Sequence, residues 1–144
     1  MRHFSLIFFF FCAISVFSQD WQASYQEAVK ASAENNEPII LVFSGSDWCA
    51  PCIKLDKNIW QSPKFKTYAN EHYVLYRADF PRKKANQLSA ERTMENVELA
   101  DRYNPKGYFP LVVVLDKKGK VLGTTGYKKL TPTEYVSHLN SFIK

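Results

Sequence analysis

Two uninterrupted apolar runs constrain the fold of this chain more than any other feature of its sequence. Residues 39–43 and 111–115 each contain five apolar side chains in succession, and both runs are rich in β-branched residues. A strand that is apolar at every position must be covered on both faces, which is typical of the centre of a mixed or parallel sheet. The two runs therefore predict an α/β fold in which helices flank both faces of a central sheet.

Helical and extended patterns alternate along the rest of the chain. The sequence predicts helices over residues 19–36, 50–60, 63–72, 88–103 and 131–143, and strands over residues 39–43, 73–79, 111–115 and 120–123. A helix separates the first two strands, which we expect to be parallel, whereas a turn at residues 116–119 joins the last two strands in an antiparallel hairpin. Asp20 is the expected N-cap of the first helix, with Trp21 on its buried face, and Thr131 is the expected cap of the last helix.

The first eighteen residues have the pattern of a secretory signal peptide. A short basic start precedes an almost wholly apolar stretch at residues 4–17, which is shorter than the about 20 residues that a membrane-spanning helix needs. Ser18 fits cleavage before Gln19. The sequence thus predicts a signal peptide at residues 1–18, one domain at residues 19–144, and export to the periplasm or to the medium. The alternative is a membrane anchor that is not cleaved, and a lipid on Cys12 is disfavoured because a bulky Phe11 precedes it.

Cleavage before residue 19 would leave two cysteines, Cys49 and Cys52, at the start of a predicted helix. Free backbone N–H groups and the positive end of the helix dipole stabilise a thiolate at the first of them. Cys52 lies one turn later, should be more buried, and can attack a mixed disulfide formed by Cys49. The spacing predicts thiol–disulfide exchange, with Cys49 as the nucleophile and Cys52 as the resolving thiol. Pro51 would stiffen the turn between them, and Trp48 would offer an apolar surface beside the first sulfur.

With these motifs, the sequence resembles the thioredoxin-fold family, and more closely the exported bacterial thioredoxin-like proteins. The resemblance rests on the buried strand at 39–43, on WCAPC at 48–52 with Lys54 behind it, and on Phe109-Pro110 ahead of a strand and a hairpin. It implies a thioredoxin fold, with a central mixed sheet flanked by helices on both faces. In that family a cis-proline faces the active-site disulfide, and by resemblance Pro110 is that proline. The substrate groove implied by the resemblance consists of Trp48, Ala50, Pro51, Phe109 and Pro110.

The chain departs from the family's pattern at three places. Phe43 stands where thioredoxins carry a buried Asp that is thought to help proton transfer at the second cysteine, and a phenyl ring cannot move a proton. Leu111 replaces the Thr that follows the cis-proline, and Ala-Pro replaces Gly-Pro between the cysteines. The residues between the cysteines tune the redox potential, so the direction of the reaction is not implied by the resemblance. Candidate replacements for the missing acid are Asp47, Asp56 and Asp79.

Three functions remain open at the level of sequence. The leading one is a reductant of client disulfides in the cell envelope, which would receive electrons from a membrane-bound or soluble thiol donor. The others are a disulfide oxidase or isomerase, and a non-catalytic module that binds peptides. No cofactor is expected, because a dithiol itself carries two electrons. A lone domain without a dimerisation segment is expected to be monomeric.

Other interpretations of the cysteines and of the basic residues have less support. A structural zinc needs four ligands, and His72 and His138 do not form a ligand-spaced pair, so no metal site is expected. A purely structural disulfide and copper delivery are further alternatives. The net charge is +5, and its basic clusters at 82–84, 117–120 and 128–129 are interpreted as solvated loop charges. They favour acidic partners or an anionic membrane surface, and without aromatic or motif support they do not indicate nucleic-acid binding.

Overall fold

The computed structural model describes residues 21–144, so the predicted signal peptide and Asp20 lie outside the described residues. The elements in chain order are α1 (Tyr25–Asn35), β1 (Ile39–Ser44), α2 (Ala50–Leu55), α3 (Pro63–His72), β2 (Val74–Asp79), α4 (Ala90–Tyr103), β3 (Leu111–Leu115), β4 (Val121–Thr125) and α5 (Pro132–Asn140). A π-helical segment, Asp56–Trp60, continues α2 directly, and a single 3₁₀ turn, Lys84–Asn86, precedes α4. None of the helices in this described part is long and apolar enough to cross a membrane.

The four strands form one mixed sheet in the order β2-β1-β3-β4. β1 pairs in parallel with β2 and antiparallel with β3, and β3 returns to β4 as an antiparallel hairpin. The predicted strand directions are therefore confirmed. In the β1–β3 register Phe43 lies opposite Leu111, so the segment before β3 and the loop after β1 meet at one end of the sheet.

Every residue of β1 is buried, because its alternate side chains enter two separate cores. Ile40 and Val42 pack with apolar side chains of α2, the π-helical segment, α3 and α5. Ile39, Leu41 and Phe43 pack on the opposite face, with residues of α1 and α4. The central position of β1 explains its unbroken apolar sequence, and it confirms the prediction of helices on both faces.

The predicted start of the first helix is wrong. The helix begins at Tyr25, and its N-cap is Ser24, whose hydroxyl accepts the N–H of Glu27 at 3.1 Å. When the π-helical segment is counted with α2, the other elements lie where the sequence predicts them, with ends that differ by up to three residues. The predicted cap of the last helix is confirmed, since Thr131 forms a complete capping box with α5.

Trp21 is extended rather than helical. It forms an isolated parallel bridge with Leu75, and the N–H of Gln22 donates to the Leu75 carbonyl at 2.9 Å. The indole packs edge-on against Trp60, with ring centroids 6.1 Å apart. The backbone here pairs with the outer edge of β2, and this pairing replaces the expected first turns of the helix.

Candidate active site

The two cysteines lie where α2 begins, directly beyond the loop that follows β1. Cys49 is the N-cap of α2, and its Sγ accepts the backbone N–H of Cys52 at 3.3 Å. The two sulfurs form a disulfide, with Cα atoms 5.2 Å apart. A sulfur in this position receives the unpaired N–H groups of the first helical turn, which favour a negative charge on it when the bond is reduced.

The disulfide itself is covered, whereas the residues between the cysteines are exposed. Cys49 is 5% exposed and Cys52 is 3% exposed, so the expected difference in burial is small in this oxidised form. Ala50 and Pro51 are both exposed. A partner approaching this face therefore meets Ala50 and Pro51 before it meets either sulfur.

The indole of Trp48 is fixed on three sides. Its Nε1 donates to the carbonyl of Phe80 at 2.7 Å, the guanidinium carbon of Arg82 lies 3.8 Å from the ring centroid, and the ring of Phe109 packs edge-on at 5.4 Å. Gly45 lies beneath the indole, where an added Cβ would come within 2.6 Å of three indole atoms. The residue before Cys49 is thus held in one orientation.

Phe109 and Pro110 reach the same end of the sheet from the other side. The peptide bond between them is cis, as the resemblance implies, and it directly precedes β3. Phe109 contacts Phe80 as well as Trp48, with the two phenyl centroids 5.6 Å apart. The structure therefore brings Trp48 and Phe109 into direct contact, and β1–β3 pairing places Pro110 beside the end of β1.

Phe43 and Asp47 have structural surroundings that the sequence alone does not indicate. Phe43 is fully buried on the α1 and α4 face of the sheet. Asp47 accepts the backbone N–H groups of Arg82 and Lys83, both at 2.9 Å, and the amide of Asn86 at 3.0 Å. The hydrogen bond from the Arg82 N–H is the largest cause that lowers the pKa of Asp47 below its usual range. Asp47 therefore anchors the loop after β2.

The other two candidate acids differ in their relation to Cys52. Asp79 accepts hydrogen bonds from the N–H and hydroxyl of Ser46. Asp56 forms an ion pair with Arg77, in which Oδ1 and Nη2 are 2.7 Å apart. Asp56 and Arg77 line a cavity of about 80 Å³ together with Cys52 and Ser46. Asp56 therefore shares this cavity with the second cysteine, and Asp47 and Asp79 do not line it.

From its position between two strands and its exposed basic composition, the segment at residues 80–104 is expected to carry client specificity, but sequence reasoning does not single out Phe80 and Arg82 as part of this site. They follow the carboxyl end of β2, which lies beside the carboxyl end of β1 because the two strands are parallel. The signal that could have located them is the aromatic and basic sequence at residues 80–84, read together with that strand order.

A mixed sheet between helices, with a CxxC disulfide at a helix start and a cis-proline at the same end of the sheet, defines the thioredoxin-fold redox proteins. Residues 20–117 match a family model described as thioredoxin-like, and the chain belongs to that family.

Among characterised proteins, the chain is similar to the disulfide bond reductase DsbH of Chlamydia pneumoniae. The two are 38% identical over 131 residues, which cover 91% of this chain and 76% of the relative. A solved structure of the DsbH oxidoreductase superposes with a TM-score of 0.81 at 37% identity, over 88% of this chain and 85% of that one. A disulphide isomerase from Xylella fastidiosa shares the fold, with a TM-score of 0.61 at 23% identity, over 83% of this chain and 88% of that one. With its CxxC pair, this chain is a DsbH-like thiol–disulfide oxidoreductase.

Proposed function

We propose that the protein reduces disulfides in client proteins of the cell envelope. The observation that carries this proposal is the Cys49–Cys52 disulfide at the start of α2, in a chain similar over most of its length to a disulfide bond reductase. The position of the sulfurs supports thiolate formation at Cys49, and their proximity supports ring closure by Cys52.

In the proposed cycle the Cys49 thiolate attacks one sulfur of a client disulfide. This step forms a mixed disulfide and releases the other client sulfur as a thiolate, which takes up a proton. The Cys52 thiolate then attacks the Sγ of Cys49, the bond to the client breaks, and the Cys49–Cys52 disulfide forms. The client gains two electrons and the dithiol loses two, so no cofactor is required. A membrane-bound or soluble thiol donor restores the dithiol by the reverse exchange.

The proposed client groove lies across the exposed face of the CxxC turn. Trp48, Ala50, Pro51, Phe109 and Pro110 are its proposed walls. The contact between Trp48 and Phe109, and the exposure of Ala50 and Pro51, support this assignment. Aromatic walls offer apolar area to a client segment at little loss of side-chain entropy.

Export is part of the proposal. The apolar stretch at residues 4–17 supports a signal peptide at residues 1–18, followed by the thioredoxin-like domain at residues 19–144. Mass spectrometry of the protein recovered from a bacterial periplasm should show a mature N terminus at Gln19. A chain that keeps residue 1 and fractionates with membranes would instead support the anchor.

The test of the reductase proposal begins with the reduction potential of the Cys49–Cys52 pair, equilibrated against glutathione. We expect a value near or below about −250 mV, whereas a value above about −180 mV would indicate an oxidase or isomerase.

Two cysteine variants test the catalytic roles. Cys49→Ser should abolish reduction of a disulfide substrate, and Cys52→Ser should accumulate covalent mixed disulfides that dithiothreitol releases. A peptide-binding module would keep its partners after both substitutions.

A further inference from the structure

We infer that the loop after β2 forms a basic docking surface beside the active site, which selects clients that carry acidic residues next to their disulfide. This inference rests on the proposed function and specifies its substrate class. The surface consists of Arg82, Lys83 and Lys84, which are all exposed, and is called the basic rim below.

The basic rim is anchored to the active site. The carboxylate of Asp47 accepts the backbone N–H groups of Arg82 and Lys83, and the guanidinium of Arg82 stacks on the ring of Trp48. Trp48 directly precedes Cys49. Asp47 lies two residues before Cys49 in the sequence. Its hydrogen bonds therefore hold the backbone of the basic rim close to the active site.

Positive charge predominates in the loop that carries the basic rim, since residues 80–90 contain three basic residues and no acidic one. Asp47 bonds the rim's backbone and places one negative charge beside it, and Asp79 bonds Ser46. Glu91 follows in the first turn of α4. Lys54, two residues after Cys52, is exposed and adds a further positive charge. A cluster of like charges around a binding surface attracts partners of opposite charge and raises their rate of association.

The test uses two disulfide-linked peptides that differ only in their flanking residues, Asp and Glu in one and Lys in the other. We expect the unmodified protein to reduce the acidic peptide with a kcat/KM about tenfold higher at low ionic strength, and the preference to shrink as salt is added. Lys83→Glu with Lys84→Glu should remove or reverse the preference. Lys118→Glu with Lys120→Glu is the matched control, because it changes the charge equally in the β3–β4 turn, at the opposite end of β3 from Pro110.

Equal kcat/KM values for the two peptides, or an equal effect of the control pair, would overturn the inference. If neither peptide is reduced, the proposed reductase function fails. The basic rim is then tested by measuring the dissociation constants of the same two peptides with serine in place of cysteine. Tighter binding of the acidic peptide would support the rim, and equal binding would refute it.

The cavity beneath Cys52 carries a second, independent inference about the proposed reaction. We propose that Asp56 accepts the proton of the Cys52 thiol when this thiol resolves the mixed disulfide. Asp56 lies four residues after Cys52, one turn along the helix, and both line the cavity of about 80 Å³. That volume is sufficient for a water molecule that could connect the two groups.

Arg77 holds the carboxylate of Asp56 by one oxygen only. Oδ1 accepts hydrogen bonds from Arg77 Nη2 at 2.7 Å and from Gln61 Nε2 at 3.5 Å, whereas Oδ2 accepts one long hydrogen bond from Gln61 Nε2 at 3.4 Å. Oδ2 therefore has a lone pair with which it can accept a proton. The charged groups on the segments that form the cavity are Asp47, Lys54, Asp56, Lys57, Arg77 and Asp79.

The proposed step is balanced within the exchange itself. The proton moves from Cys52 Sγ to the Asp56 carboxylate, and the resulting thiolate attacks Cys49 Sγ. The Cys49–Cys52 bond forms as the bond to the client breaks, and the client sulfur leaves as a thiolate that a solvent proton neutralises. When a thiol donor reduces the disulfide, Asp56 returns its proton to Cys52.

The rate at which a preformed mixed disulfide is resolved, measured against pH in rapid-mixing experiments, tests the role of Asp56. In Asp56→Asn the rate at pH 7 should fall by about tenfold or more. It should recover as the pH rises past the ordinary thiol pKa of about 8.5, where Cys52 ionises without help. Asp101→Asn, which removes an exposed carboxylate of α4 that does not line the cavity, should keep the pH profile of the unmodified protein. An unchanged profile in Asp56→Asn, or a loss that persists at high pH, would refute the proton transfer.

Discussion

Replacing Gly45 by alanine should displace the indole that precedes the nucleophilic cysteine. The backbone of Gly45 is not in the left-handed region, so an alanine there meets no conformational penalty of its own. Its Cβ would nevertheless lie within 2.6 Å of three atoms of the Trp48 ring, whereas ordinary contacts begin near 3.4 Å. The indole must therefore move by nearly an ångström or more.

A shift of that size breaks the contacts that hold Trp48. The 2.7 Å hydrogen bond from Nε1 to the Phe80 carbonyl would lengthen beyond bonding distance, at a cost of about 1 kcal/mol. The stacking of Arg82 on the ring contributes about 0.5–1 kcal/mol more. Together with residual overpacking, we expect Gly45→Ala to lower the free energy of unfolding by about 2–3 kcal/mol.

Urea unfolding followed by far-UV circular dichroism measures this loss, and a double-mutant cycle assigns it to the indole. In a Trp48→Ala background the Cβ has room, so Gly45→Ala should change the free energy of unfolding by less than about 0.5 kcal/mol, leaving a coupling of about 2 kcal/mol. An equal cost of Gly45→Ala in both backgrounds would refute the steric argument. Gly45→Ala and Trp48→Ala should both reduce a client disulfide more slowly than the unmodified protein does, since both remove the same wall of the proposed groove.

Three further predictions concern the residues that support this end of the sheet. Tyr76→Phe removes a hydroxyl that lies 2.7 Å from Asn96 Oδ1 and 2.8 Å from Glu95 Oε2, and it should lower the free energy of unfolding by about 1–2 kcal/mol in urea. A loss under about 0.5 kcal/mol would contradict this prediction. Because the pKa of Asp47 is lowered on folding, its support of the loop is present above the ordinary carboxyl range and is lost as the pH falls through the lowered pKa. The NMR shift of the Arg82 amide should follow that titration, and Asp47→Asn should abolish it. Thr131→Ala removes the capping box of α5 and should cost about 1 kcal/mol in thermal unfolding, whereas Thr131→Ser should be nearly neutral.

The parts of the fold that were predictable are those set by local burial and spacing. The run at residues 39–43 is apolar because both faces of β1 are covered, so the apolar pattern alone predicts that this strand is central. The CxxC spacing similarly indicates a disulfide at a helix start, because Cys49 and Cys52 are one turn apart.

The parts that were not predictable depend on contacts between distant residues. The sequence around Trp21 favours a helix, yet its backbone pairs with Leu75, more than fifty residues later. Asp47, Asp56 and Asp79 look equivalent in the sequence, and only tertiary structure shows that one of them shares a cavity with Cys52. Local periodicity carries no information about such pairings, because they depend on how the elements pack.

The bridge at Trp21 also has a consequence for how this protein behaves at high concentration. β2 is an outer strand of the sheet, and an outer strand presents unpaired N–H and C=O groups on which another chain can add a strand and begin to aggregate. The Trp21-Gln22 backbone occupies part of that edge at Leu75, and the charged side chain of Arg77 lies two residues further along. A version of the protein trimmed by a few residues past its proposed cleavage site would keep its cysteines and its groove but would expose a surface for self-association.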